Sequence, residues 1–546
     1  MKMKTKLKQK TKQKMKQLSA LFLALLMVCA LSLTAFAAEE NGTDSNEAQS
    51  GSQTASLAGH SFTAYQIFAG TYSKEKDTLS DIKWGENAQN TEIQDTIAQA
   101  LGLNAGATLE EILAALETVG DETDTANKLA AAIAGKIELL GEGKTVVDGQ
   151  DVGPGYYIVI DTSAELGDGD SRNFALLQCI DGTIHIKAKT GTVSSDKKLE
   201  DMNDSDANDP TNNVLDTSAD YDIGDDIPFV LTGTVAENFD LFQGAYKFIF
   251  HDTEDPGLTF NNDISVKIDG TPVDGSAYRV ETNPGNGETF QVIFDNLKNV
   301  AGVHAGSVIE ISYTSKLNEN ANIGAAGNKN TMHLEYSNNP YDENETGNTP
   351  DKVVIVFTYK VEINKVDQDQ KPLAGAGFAL YKLDLNYTGD DGVANEDGTK
   401  QNVLDGKSYN KLVGVYNTDT ETNGFTMTTF SFAGIDDGEY LLVETTTPDG
   451  YNTIEPIAFK VKADHTSGGL ELTYLNGDPV DGTVELVFTS DAGTGTMVTD
   501  IVNKSGSLLP STGGIGTTIF YIIGGVLIVG ACVMLFVRKT MKNEKR

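Results

Sequence analysis

From about residue 190 to residue 503 the chain is written in short stretches that alternate apolar and polar residues. "DIPFVLTGTV" (226–235), "TFQVIFDNL" (289–297), "SVIEISYTSKL" (307–317) and "TMHLEYSNN" (331–339) are separated by Gly, Asn, Asp and Pro. A period of two puts every second side chain on one face, so each stretch reads as a half-buried strand, and many such strands between turns predict β-sandwiches. The region before them differs. It opens on a strand at "HSFTAYQIFAGTYS", looks helical over 91–140, and returns to strands at "GYYIVID" and "FALLQCIDGTIHIKA". Thr108 and Glu111 have the spacing of a capping box ahead of "ILAAL". The expected fold is mainly β: three tandem Ig-like sandwiches, the first with helical insertions. The expected bounds are 57–190, 191–355 and 356–505, preceded by a polar leader at 38–56.

Both ends carry targeting patterns. Eight lysines and no acid in the first 16 residues precede an apolar run ending in Ala35-Phe36-Ala37, which predicts a signal peptide over 1–37. Residues 506–546 hold Leu509-Pro510-Ser511-Thr512-Gly513, an apolar run and the tail "RKTMKNEKR". That run has about 20 residues, enough to span a bilayer with the basic tail kept inside. The signal peptide takes eight of the 41 basic residues, and the tail takes five together with one of the 79 acids. What remains is 28 basic against 78 acidic residues. A surface this acidic repels nucleic acid and anionic membranes. Cys29 and Cys532 fall in the two apolar runs, so Cys179 alone is left and no internal disulfide can form.

Stability must then come from the cores or from another cross-link, and the strand faces suggest one. In "YKVEINKVD" Lys365 continues the apolar face of Val361 and Ile363. Glu444 shares a face with Tyr440 and Leu442, and Asn503 shares one with Met497 and Ile501. An amine, an acid and an amide therefore point inward from the first, a middle and the last strand of one domain. A desolvated lysine is a nucleophile, and a buried carboxylic acid can polarise an amide carbonyl and shuttle protons, which is what an internal Lys–Asn amide bond needs. The preceding domain repeats the order: Lys197 with Val193 and Leu199, Asp252 with Phe248 and Phe250, Asn338 with Met332, Leu334 and Tyr336. Asn330 lies on that last face too. The plain alternative is that these lysines run out to solvent at strand ends.

The LPSTG segment with its apolar run and basic tail resembles a cell-wall sorting signal, the substrate of the Gram-positive transpeptidase sortase. With "LSDIKWG", "FIFHDTEDPGLTF", "INKVDQDQKPLAGAGFALYK", "GEYLLVETTTPDGY" and "IVNKSGSLLPSTGG", the chain resembles the major, or backbone, pilins of Gram-positive bacteria, and its third segment is similar to Cna B-type domains. That resemblance implies a secreted, wall-anchored structural subunit with no catalytic cofactor or resident metal. Its partners would be sortase, identical subunits, accessory pilins, peptidoglycan and host surface ligands. It implies cleavage between Thr512 and Gly513, internal bonds at Lys365, Glu444 and Asn503 and at Lys197, Asp252 and Asn338, and an acceptor lysine before the middle domain. "IHIKAKT" occupies that place and selects Lys189, with Lys187 beside it; the family's usual Tyr and Pro are missing.

A rival reading is a monomeric wall-anchored adhesin using the same sandwiches. No nucleophile elbow, P-loop or HExxH stretch points to an enzyme. "DLNYTGDDGVANEDG" (384–398) comes near a calcium loop but puts Asn395 where a carboxylate is needed; it reads as an acidic loop.

Overall fold

The computed structural model describes residues 59–75, 78–119, 123–186, 191–209, 212–395, 398–416, 426–465, 469–480 and 486–506. The expected signal and leader, Lys187 and Lys189, and the sorting segment from residue 507 on, including Leu509, Pro510, Ser511, Thr512 and Gly513, lie outside them. Among the described residues no helix is long and apolar enough to cross a membrane.

The first domain is built on one antiparallel sheet, in the order Thr78–Trp84, Phe62–Ser73, Gly155–Asp161, Phe174–Cys179, with Lys144–Val146 pairing onto Phe62–Ser73. All seven residues of Gly155–Asp161 are buried, because both faces of the sheet are covered. On one face Tyr156, Ile158 and Ile160 meet the helices Thr91–Ala100, Leu109–Val119 and Thr123–Ala134 through Ile97, Leu116 and Ile133. On the other, Tyr157 and Val159 pack with Val152, Cys179 and Ile184. The capping box forms as expected: Glu111 accepts from the Thr108 backbone N–H at 2.8 Å, and Thr108 Oγ1 accepts from the Glu111 N–H at 3.3 Å.

The middle domain is a sandwich of two seven-stranded sheets. One centres on Ser194–Asp201, Asp226–Thr234 and Val308–Leu317; the other centres on Lys352–Phe357, Asn328–Ser337, Phe248–Glu254 and Phe290–Phe294. The alternation read from sequence is the observed one. In Val308–Leu317, Ile309, Ile311, Tyr313, Ser315 and Leu317 are buried and the residues between them are not.

The third domain packs a four-stranded sheet (Thr429–Ile435, Tyr359–Asp367, Thr496–Asn503, Thr489–Asp491) on a five-stranded one (Lys411–Tyr416, Gly377–Lys382, Gly438–Thr446, Ile457–His465, Leu472–Pro479). Its first and last strands are parallel neighbours, with Lys365 opposite Ile501 and Asp367 opposite Asn503. Two strands this far apart in sequence can pair in parallel because the rest of the domain forms the crossover between them.

The domains are joined closely. Only Thr358 separates strand Lys352–Phe357 of the middle domain from strand Tyr359–Asp367 of the third. Gly324 (φ +81°) and Gly495 (φ +63°) touch across this junction, and a Cβ on Gly324 would lie 2.4 Å from the Gly495 nitrogen, so the contact tolerates only glycine. At the first junction Leu241 and Tyr341 of the middle domain pack into the helical core, and Arg172 pairs with Glu345 at 3.3 Å.

Candidate functional sites: two buried lysine–acid–amide clusters

In the third domain the parallel pairing of first and last strands brings Lys365 to Asn503. The lysine is fully buried because its strand alternates Tyr359, Val361, Ile363, Lys365 toward the core. Its Nζ donates to Asn503 Oδ1 at 2.5 Å and to the Ile501 carbonyl at 2.9 Å. Asn503 Nδ2 in turn donates to Glu444 Oε1 at 2.8 Å, and that oxygen lies 3.9 Å from the amine. Glu444 comes from the facing sheet, and its second oxygen accepts from the Ile454 N–H at 3.0 Å, which fixes the carboxyl. Burial pushes the Lys365 ammonium down to about 8 against the opposing pull of Glu444, so a substantial neutral fraction exists near neutral pH.

The middle-domain cluster is drier and more crowded. Lys197 reaches across the sandwich from strand Ser194–Asp201, and its Nζ lies 2.5 Å from Asp252 Oδ2, 2.5 Å from Asn330 Oδ1 and 3.1 Å from Tyr313 Oη. Tyr313 also donates to Asp252 Oδ2 at 3.1 Å and accepts from Asn330 Nδ2 at 2.9 Å. Asn330 Nδ2 lies 3.3 Å from Glu254 Oε1 as well. The stacked rings of Phe229 and Tyr313 wall the amine, both centroids within 6 Å of Nζ. Burial lowers the Lys197 pKa and raises that of Asp252, both shifts favouring a neutral amine beside a neutral acid; burial likewise lifts Glu254 to about 7.

The amide facing Lys197 is thus Asn330, which corrects the expectation of Asn338. Both residues lie on the same face of one strand direction, but eight positions separate them, roughly 27 Å along an extended strand. Asn338 sits past the strand's end at the first-domain junction, where its carbonyl accepts from the Arg172 N–H at 2.7 Å. Tyr313 and Glu254 were not anticipated. Their signals were present: Tyr313 alternates inward with Ile309 and Ile311, and Glu254 follows Asp252 by two.

A third buried lysine behaves differently. Lys382 ends strand Gly377–Lys382 and meets Asp436 at 2.5 Å, with Asp204 at 2.8 Å and Asp222 at 3.0 Å from the middle domain. Lys411 adds contacts to Asp222, Asp225 and Asp384 at 3.0–3.3 Å. Burial alone would strip the Lys382 proton, but Asp222, Asp436 and Asp204 together hold it well above the ordinary lysine value. It is therefore a charged clamp between two domains and a poor nucleophile. Burial, then repulsion from Asp222, outweigh Lys382 and raise Asp204 to about 7. A carboxyl whose folded pKa exceeds its unfolded one stabilises the fold fully below the ordinary aspartate value, and that contribution is lost as pH rises through about 7. The junction is expected to gain stability between pH 8 and pH 6, and Asp204→Asn is expected to flatten that rise; melting curves across this range measure both.

In the 384–398 loop the described acids Asp384 and Asp390 are engaged by the protein itself. Asp384 caps the Asn386 and Tyr387 N–H groups, and Asp390 pairs with Lys400 and Asn402.

Comparison with known proteins adds a class to this geometry. Residues 359–476 match the SpaA prealbumin-like fold domain, and over most of its length the chain is similar to backbone pilins of Gram-positive bacteria. One relative is the trypsin-resistant surface T6 protein of Streptococcus pyogenes serotype M6, 26% identical over 532 residues, which cover 88% of this chain and 93% of that protein. Among solved structures, the T6 backbone pilin of serotype M6 Streptococcus pyogenes aligns at 21% identity over 82% of this chain and 96% of its own, with a TM-score of 0.47. The full-length major pilin SpaD from Corynebacterium diphtheriae aligns at 15% identity over 82% and 93%, with a TM-score of 0.42.

Proposed function

We propose that this chain is the shaft subunit of a covalently assembled surface pilus, stiffened by two internal amide bonds. The observation that carries the proposal is the Lys365 amine held 2.5 Å from the side-chain carbonyl of Asn503, with Glu444 on the leaving nitrogen. The neutral amine attacks Asn503 Cγ and an Nζ–Cγ bond forms. Glu444 carries a proton from the amine to Nδ2, the Cγ–Nδ2 bond breaks, and ammonia leaves. Lys197, Asp252 and Asn330 follow the same course, with Tyr313 holding both acid and amide in place. Preorganisation supplies the help that a free lysine and asparagine lack. The similarity to T6 over 88% of the chain supports the same reading. In it, sortase cleaves after Thr512, passes the threonyl carbonyl to Lys189 of the next copy, and finally to peptidoglycan, leaving the pilus on the cell surface.

Detergent-boiled wall extracts test the assembly. A ladder of covalent multimers is expected from the unmodified chain. Lys189→Ala is expected to collapse it to wall-attached monomer, since Thr512 can still reach the wall. A ladder that survives Lys189→Ala and disappears in Lys187→Ala moves the acceptor two residues; a chain that never forms a ladder is a monomeric adhesin.

A further inference from the structure

The outer face of the middle domain's second sheet carries a cluster that neither the internal bonds nor assembly uses. His251 on strand Phe248–Glu254 stands directly opposite His333 on strand Asn328–Ser337. Their rings are stacked, centroids 4.6 Å apart and 8° from parallel. His251 Nδ1 faces both oxygens of Glu288, at 3.0 and 3.1 Å. His251 is 8% exposed, and its Nε2 makes no hydrogen bond although Glu335 lies 3.4 Å away. One donor atom from each of His251, Glu288 and His333 can be chosen so that all lie within 4.8 Å of one another.

We propose that His251, His333 and Glu288 bind a zinc ion. Two ligands about 2.0–2.1 Å from a tetrahedral zinc stand roughly 3.3 Å apart, close to the spacing already present between the His251 nitrogen and the Glu288 carboxylate. Set against the 4.8 Å bound, His333 must close by at most about 1.5 Å, and its part-exposed ring is held by the stack on His251 and by Asp351 at 3.5 Å. Two imidazoles and one carboxylate suit zinc and disfavour calcium or magnesium, which take all-oxygen shells. A fourth position remains for water. The other clusters of metal-ligating groups fit worse. The one around Asp204 and Asp222 is already neutralised by Lys382 and Lys411, and that of Asp201, Asp220 and His465 offers a single imidazole.

The placement gives the ion a structural task. His251 precedes Asp252, and His333 follows Asn330 by three on the paired strand, so zinc on the outer face would staple together the two strands that present the acid and the amide to Lys197.

Calorimetric titration of the untagged chain spanning residues 38–512 with zinc chloride at pH 7.5 tests this. One equivalent is expected to bind with Kd tighter than about 100 µM, and His333→Ala is expected to weaken it by at least about tenfold. Glu288→Gln, which cannot empty the core, is expected to weaken it as well, whereas His304→Ala, at an exposed histidine elsewhere on the domain, leaves it unchanged, and calcium chloride gives no saturable heat. A weaker wild-type Kd, a His333→Ala affinity within tenfold of wild type, or loss of binding on His304→Ala overturns the site.

Discussion

The intact mass of folded recombinant residues 38–505 is expected to fall short of the sequence by two molecules of ammonia, one per internal amide. Glu444→Ala should restore one, because Asn503 then has no acid on its nitrogen. Asn330→Ala should restore the other, and Asn338→Ala neither, because only Asn330 reaches Lys197. The thermal consequence is large. A Lys365–Asn503 link spans 138 residues, and by the chain-entropy account of cross-links a loop of that length is worth about 5 kcal/mol. For a domain of this size that amounts to a loss of roughly 15–20 °C in the third domain's Tm on Glu444→Ala. A mass equal to the plain sequence in well-folded protein would remove both bonds from the account and leave the lysines as buried hydrogen-bond donors.

Lys382→Met carries the second large effect. It leaves Asp204, Asp222 and Asp436 buried at the junction without the cation that joins them. Breaking a buried ionic cluster from one side costs about 3–5 kcal/mol. Because the cluster links two domains, unfolding should split into separate transitions, and protease should cut near Thr358, the single residue between their strands. Adding Asp204→Asn and Asp436→Asn to Lys382→Met should restore much of the loss by removing the stranded charge. A single cooperative melt in Lys382→Met at the wild-type temperature would show that the apolar and glycine contacts hold the junction alone.

The strands and the inward direction of Lys197, Lys365, Asp252 and Glu444 were legible because period-two patterning reports which face a side chain takes. It does not report height along the strand, and that is why Asn338 and Asn330 could not be separated before Asp252 was seen opposite Met332 and Glu254 opposite Asn330. In the third domain only one asparagine lay on the inward face of the last strand, so the ambiguity did not arise. The helices of the first domain were visible through the Thr108 cap. Their stacking on one face of the sheet was foreshadowed by the unbroken apolar run "YYIVI", which alternation cannot explain. The Lys382 cluster left no pattern at all. Its acids come from loops more than 200 residues apart, Asp204 to Asp436, and converge only when two domains meet. The His251–His333 pair depends likewise on register between strands far apart in sequence.

The parallel placing of Tyr359–Asp367 beside Thr496–Asn503 sets how a shaft built from this chain would answer to tension. With Lys365 bonded to Asn503, a pull that enters at Tyr359 crosses to the last strand after seven residues and leaves at once, so everything between Val366 and Val502 is spared and the third domain behaves as an inextensible link. The middle domain differs. The bond proposed for it would end at Asn330, and the chain from there to Phe357 would still carry the load. That stretch folds back on itself, Asn330 beside Val354 and Met332 beside Lys352, so this antiparallel pairing opens like a zipper, one rung at a time, once the short parallel pairing of Lys352–Phe357 with Ser218–Asp220 has been sheared. Releasing it would add roughly 90 Å per subunit at full extension while both covalent bonds stay closed. A filament of such subunits would lengthen under a sudden load by opening its middle domains and recoil as those short hairpins re-form.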